Sequence, residues 1–263
     1  LLRAAMVAGA IGLLVEAAFR WQGGSTPPGS VYGLLAVTGI FQGLYFLGLT
    51  RGYAIGAFAV VYPVARGLPV LFLALVDIAR GRPPSVAGWI GMILVVAGCL
   101  LAPLDSVRTV RRRHYLNMPI LWIGVTALGT VGYTTVDKLA AEQVAAGGFV
   151  TAARYGLLQA FSTSVYLLLL LFGGIKTPLF GPHARSLWRR AALTSVVIFS
   201  GYWLILWAYQ LTLYASYIVA LRQFSIVLGV VVSMLYLHEH TPRVRLVAAF
   251  CITAGCMAIV VGA

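Results

Sequence analysis

Nine apolar stretches of about 20 residues, joined by short polar connections, fix most of what this chain can become. They occupy positions 1–20, 31–50, 57–79, 85–104, 118–140, 149–172, 191–211, 216–237 and 244–262. Each reaches across roughly 30 Å of hydrocarbon as a helix, the conformation in which a lipid-exposed segment satisfies its own backbone. The predicted fold class is therefore an all-α integral membrane bundle. Composition agrees: 61% of residues are hydrophobic and 10% charged, against roughly 25% charged in a soluble domain. Connectors such as Gly23-Gly24-Ser25-Thr26-Pro27-Pro28-Gly29, Gly81-Arg82-Pro83-Pro84 and Gly181-Pro182 carry turn chemistry and leave no room for an extramembrane domain. The first block leads straight into the bundle and reads as a span rather than a cleaved signal.

The formal charge of +13 is a topology signal, not a nucleic-acid footprint, because no soluble surface is available to hold a duplex. With loops numbered alternately, one face carries Arg3, Arg51, Arg108, Arg111, Arg112, Arg113, Lys176, Arg185, Arg189, Arg190, Arg243 and Arg245, and the other Arg20, Arg80, Arg82 and Lys138. The richer face is expected in the cytoplasm. Seventeen arginines against two lysines fit a GC-rich genome, so a multi-pass protein of a bacterial inner membrane is expected. Cys99, Cys251 and Cys256 all lie inside spans and read as small packing residues.

Arg66 and Arg222 interrupt two of the apolar stretches. An arginine near the centre of a membrane helix costs about 2.5 to 3.5 kcal/mol on insertion scales, so such residues face a cavity, a partner or a solute. The two stretches also resemble one another. Ala97-Gly98-Cys99 follows the Arg66 span by one helix, and Ala254-Gly255-Cys256 follows the Arg222 span by one helix. Tyr53-Ala54 pairs with Tyr214-Ala215, and Leu2-Arg3-Ala4-Ala5 pairs loosely with Ala153-Arg154-Tyr155-Gly156. Four spans on each side correspond in order, and the block holding Asp137 and Lys138 has a counterpart only if one further helix precedes Leu1. The expectation is thus nine visible helices of ten, five plus five: residues 1–104 form a first repeat lacking its first helix, and 118–263 a second. An odd repeat number inverts one half relative to the other.

These residues resemble the drug/metabolite transporter superfamily, EamA type. Tyr62-Pro63-Val64-Ala65-Arg66-Gly67-Leu68-Pro69 is similar to that family's fourth helix, Ala220-Leu221-Arg222-Gln223-Phe224-Ser225 followed by Glu239 to its ninth, and Asp137-Lys138 to the start of its second repeat. The resemblance covers the whole chain from the family's second helix to its tenth. It implies an inverted-repeat helical basket with a central cavity and alternating access.

Within that frame Arg66 and Arg222 are the candidate substrate residues, able to pair a carboxylate, phosphate or phosphonate through a planar fork. Tyr62, Gln223, Tyr133 and Trp207 join them as deep aromatic or amide groups. Pro63, Gly67 and Pro69 weaken the helical ladder around Arg66 and are read as a hinge. Glu16 is a candidate for proton coupling, set against an ordinary helical ion pair with Arg20 four residues on. Arg154 is expected to snorkel to the interface. His238-Glu239-His240 offers metal-ligand types, but alternate positions at a helix end point apart. No metal or other cofactor is expected.

The function these features predict is secondary transport of a small organic metabolite, anionic or amino-acid-like. The expected partners are that solute and the lipid bilayer, with a homodimer also compatible and no nucleic acid. The rival is a membrane-embedded enzyme acting on a lipid or polyprenyl substrate. Six acidic residues in the whole chain, none close together, argue against metal-assisted diphosphate chemistry, so the chain is not expected to be an enzyme. A channel is disfavoured because an inverted duplication supplies two alternating gates.

Overall fold

The computed structural model describes residues 2–24, 26–55, 58–102, 104, 120–144, 147–172, 184–236 and 243–262. Among these residues every regular element is helical: α1 (Leu2–Trp21), α2 (Gly29–Ile55), α3 (Phe58–Ala79), α4 (Val86–Leu101), α5 (Ile120–Gln143), α6 (Gly148–Phe172), α7 (Ala184–Leu211), α8 (Ala215–Leu221), α9 (Phe224–Tyr236) and α10 (Arg243–Val261). Each apolar block of the sequence has become a helix, and the eighth has become two. Among the described residues five segments are long and apolar enough to cross a membrane: Leu2–Trp21, Gly29–Ala54, Ser186–Leu211, Ala215–Leu235 and Arg243–Val261. Turn residues act where the sequence places them, with Gly23 and Gly81 both at positive φ after α1 and α3. Ser85 caps α4, its hydroxyl accepting from the Gly88 N–H at 3.0 Å.

Polarity is arranged inside out. Thr38, Asp137, Lys138 and Gln159 are fully buried, while Leu14, Leu193, Val197 and Phe250 are more than 70% exposed. In water that surface would be an aggregation hazard; helices of this kind fit a multi-pass membrane protein, where the outward face meets lipid.

The chain divides into two compact units, Leu1–Gly43 with Gly132–Thr212 and Leu44–Val131 with Leu213–Ala263. These units are not the two sequence repeats: each takes segments from both halves of the chain. In the first unit α1 packs on α6 and α7, and α6 on α7. Gly9 and Gly12 allow the close approach, since a Cβ at Gly9 would stand 2.6 Å from the Phe161 Cα and one at Gly12 2.8 Å from Leu157.

In the second unit α4 packs on α10, and α3 on α4 and α8. Val70, Leu73, Met92, Val95, Ile252 and Ile259 form the centre of its apolar core. A Cβ at Gly91 would meet the Gly255 carbonyl at 2.6 Å, and one at Gly255 would meet the Gly91 carbonyl at 2.5 Å. A Cβ at Gly98 would lie 2.6 Å from the Ile252 side chain and 2.8 Å from the Ala248 carbonyl. Contact indices rise on α4 as they fall on α10, so the pair is antiparallel.

Candidate functional site

The discontinuity of the second unit lies at Arg222. Helix α8 ends at Leu221 and α9 begins at Phe224, both within the single apolar span Ala215–Leu235. Around the break the bonds tighten from four residues to three: Gln223 N–H donates to the Ala220 carbonyl at 3.0 Å and Ile226 N–H to the Gln223 carbonyl at 2.9 Å. The Val219 carbonyl, which the Gln223 N–H would reach in an unbroken helix, instead accepts from the Gln223 side-chain amide at 2.9 Å. The same nitrogen lies 3.2 Å from the Arg66 carbonyl on α3. Gln223 therefore splices its own broken helix and ties it to the Arg66 turn, while the Ser225 hydroxyl takes the Arg222 carbonyl at 2.9 Å. Arg66 and Arg222 are both half-buried.

At the other end of α8, Asp77 supplies the cap. It is fully buried, and its carboxylate accepts from the Ala215 and Ser216 N–H groups at 3.4 and 3.0 Å, where the orphan donors of a helix start favour an anion. One α3 carboxylate thus fixes the start of α8 and one α3 carbonyl fixes its end.

The segment expected to act as a hinge is helical at the level of the backbone. Helix α3 runs without a break through Pro63, Gly67 and Pro69. A proline removes one ladder bond, and here the turns are retained with Ala65 and Val70 buried in the second unit's cores. Gly67 serves packing, because a Cβ there would stand 2.9 Å from that of Cys99. The interruption expected beside Arg66 sits beside Arg222. The side chains of Tyr62 and Pro63, and the whole of His238-Glu239-His240, lie outside the described residues.

The other candidates belong to the first unit. Tyr133 is buried, with its ring 6.2 Å from that of Tyr202 in an edge contact. Trp207 is partly exposed against Phe149 at 5.7 Å. Glu16 forms the helical pair with Arg20 at 3.1 Å and a second pair with Arg154 at 2.9 Å. Arg154 does not snorkel: it is 8% exposed, because Glu16 supplies a buried counter-charge and Phe19 stacks 3.7 Å from its guanidinium.

A polar centre surrounds Asp137, which sequence reading singled out only as part of a family resemblance and which is fully buried. Its Oδ1 accepts from Thr38 at 2.8 Å, Tyr155 at 3.0 Å and Gln159 at 2.7 Å, and its Oδ2 from Gln159 at 2.7 Å and Tyr202. One helical turn along, the Thr163 hydroxyl donates to Gln42 at 2.8 Å. The neighbouring Lys138 is buried with its ammonium on the Tyr209 carbonyl at 2.7 Å, on the Thr212 carbonyl and on Glu142 at 3.1 Å. Sequence signals did exist: Thr38 with Gln42, and Gln159 with Thr163, are four-residue polar pairs inside otherwise apolar spans.

No family model matches the chain. A protein of Sinorhizobium sp named "Uncharacterized transporter in cobO 3'region" is 28% identical over 102 residues, which is 38% of this chain and 72% of that protein. A solved structure titled only "Crystal structure of protein" superposes with a TM-score of 0.66 at 15% identity, covering 100% of this chain and 88% of the other. The similarity to a transporter-named protein and the apolar helical fold are both consistent with membrane transport.

Proposed function

We propose that this chain is a secondary transporter of the drug/metabolite superfamily, EamA type, moving a small anionic or amino-acid-like metabolite across a bacterial inner membrane by alternating access. The observation that carries the reading is the broken span at Arg222-Gln223, held to the Arg66 turn by a side-chain amide. Counting 1.5 Å per residue from Ala215, the break lies roughly 11 Å into its span. Irregular backbone at that depth is tolerated where it lines a cavity, and discontinuous helices are how inverted-repeat carriers build solute sites. Arg66 and Arg222 then lie on the solute path as anion-pairing groups, and the α8–α9 joint serves as a hinge beside the Pro63, Gly67 and Pro69 segment of α3.

The α4–α10 contact supports the inverted repeat. Matching Ala97-Gly98-Cys99 to Ala254-Gly255-Cys256 equates Val95 with Ile252 and Gly91 with Ala248. Exchanging each residue for its match turns the Gly91–Gly255 contact into Ala248–Gly98, and the Gly255–Val95 contact into Gly98–Ile252. Both resulting contacts are present. A contact set that maps onto itself across antiparallel helices is what a two-fold axis perpendicular to them produces.

The test is a metabolite-wide binding screen on purified protein, comparing wild type with Arg66→Ala and Arg222→Ala. The proposal predicts solutes bound by wild type and lost from both variants. Chemical conversion of a bound lipid or polyprenyl compound would favour the enzyme reading instead.

A further inference from the structure

Helices α1, α2 and α6 of the first unit enclose a groove of about 620 Å³. Its walls include Leu13, Ala17, Ala36, Phe161, Val165 and Leu169, all exposed, so it opens outward along the helices. The groove follows from local sequence. Gly39 brings α2 against α6, where a Cβ would stand 2.2 Å from the Ser162 hydroxyl, and Gly9 and Gly12 bring α1 in from the other side. Ala17 and Ala36 are then too short to fill the wedge between them.

The charged side chains of the groove, Glu16 and Arg20, lie with Tyr32 at one end, and along the rest of its length the polar groups are Ser162, whose hydroxyl donates to the Leu35 carbonyl at 2.7 Å, and Tyr166. Arg20 Nη2 donates to the Tyr32 hydroxyl at 2.6 Å and its Nε to Glu16 at 3.1 Å. Glu16 also pairs with Arg154, which is buried behind the lining, so two guanidinium groups share one carboxylate and the cluster at the mouth carries a net positive charge. Arg20 stands in the last turn of α1 beside the exposed Trp21, a pairing suited to the headgroup level of a bilayer. Because Glu16 meets Arg154 and Gly9 meets Phe161, α6 leads away from this mouth. Its lining runs from Leu158 to Leu169, an axial rise of roughly 16 Å, which is about one leaflet of the hydrocarbon core.

We propose that this groove holds one acyl chain of an anionic phospholipid, with the headgroup phosphate on Arg20 and the Tyr32 hydroxyl. A single-leaflet apolar channel ending in a cationic mouth matches that amphiphile. A small soluble anion would use the mouth and leave the channel uncovered. The site is separate from Arg66 and Arg222, so it stands independently of what the protein transports.

Native mass spectrometry of the full chain in detergent, titrated with phosphatidylglycerol and with phosphatidylcholine, tests it. One phosphatidylglycerol should be retained under activation that strips phosphatidylcholine. Arg20→Gln should lower that preference about five-fold, the scale of one basic residue at an anionic surface, and Arg20→Lys should restore most of it. Ala36→Trp, which fills the groove, should reduce retention of both lipids, while Val37→Trp on the same helix but outside the lining should leave retention intact; melting profiles confirm that each variant is folded. Equal retention of the two lipids by wild type, retention that survives both Arg20→Gln and Ala36→Trp, or retention of detergent alone would overturn the proposal.

Discussion

Single residues decide how the charges inside this chain are tolerated. Asp137 accepts hydrogen bonds from Thr38, Tyr155, Gln159 and Tyr202 and is fully buried. Asp137→Ala would strand several buried donors, each worth about 1 to 3 kcal/mol when left unsatisfied. We predict a large fall in melting temperature for Asp137→Ala and a much smaller one for Asp137→Asn, which keeps an acceptor; equal losses would show that the network does not hold the first unit together. Arg154→Ala removes the buried one of the two arginine partners of Glu16, leaving Arg20 as the other, and should cost about 1.5 to 3 kcal/mol. Arg20→Ala should cost distinctly less, because its side chain is 49% exposed; denaturation in detergent micelles would expose the reverse order. Sequence reasoning recognised the Glu16–Arg20 spacing but expected Arg154 at the interface, because its partner lies on a helix 138 positions earlier in the chain. Local spacing carries pairs within a helix and is silent about pairs between helices.

At the scale of elements, hydropathy located every described helix, and the connectors holding Gly23 and Gly81 located the turns after α1 and α3. It could not distinguish a continuous span from a broken one. Prolines in α3 suggested a break there, yet α3 is continuous and the span with no proline near its arginine is interrupted. The determinant is Gln223, whose amide replaces a lost ladder bond, and an amide able to do so looks in sequence like any other polar residue. Gln223→Leu should therefore loosen the joint, seen as faster amide hydrogen exchange around Val219 and Ile226 with α10 unaffected; unchanged protection would mean that packing alone holds the break. The α4–α10 contact makes a separate prediction. Gly91→Val and Gly255→Val invade the same reciprocal approach, so each should destabilise by about 1 to 3 kcal/mol, and the double variant should cost clearly less than the two added together. Additive losses would mean that the two glycines act at independent contacts.

For the whole molecule, the helical class and the apolar surface were readable from composition and block length alone. The proposed repeats rest on short matched triplets, and the α4–α10 contacts between those triplets are what support them. The compact units combine segments from both halves of the chain because contacts join segments distant in sequence, which no linear pattern records. Of the residues expected to meet solute, Arg66, Arg222 and Gln223 gather around one broken span, whereas Tyr133 and Trp207 belong to the other unit. The central claim is that this molecule exchanges solutes through a path lined by the two arginines. Counterflow in proteoliposomes loaded with a mixture of organic and amino acids, read by mass spectrometry, tests it most directly. Wild type should show saturable exchange of at least one anionic or amino-acid-like solute, and folded Arg66→Ala and Arg222→Ala proteins should lose about tenfold or more of that rate, as expected for removal of a charge-assisted pair. Absence of saturable exchange across the mixture, or undiminished exchange by both variants, would contradict the account.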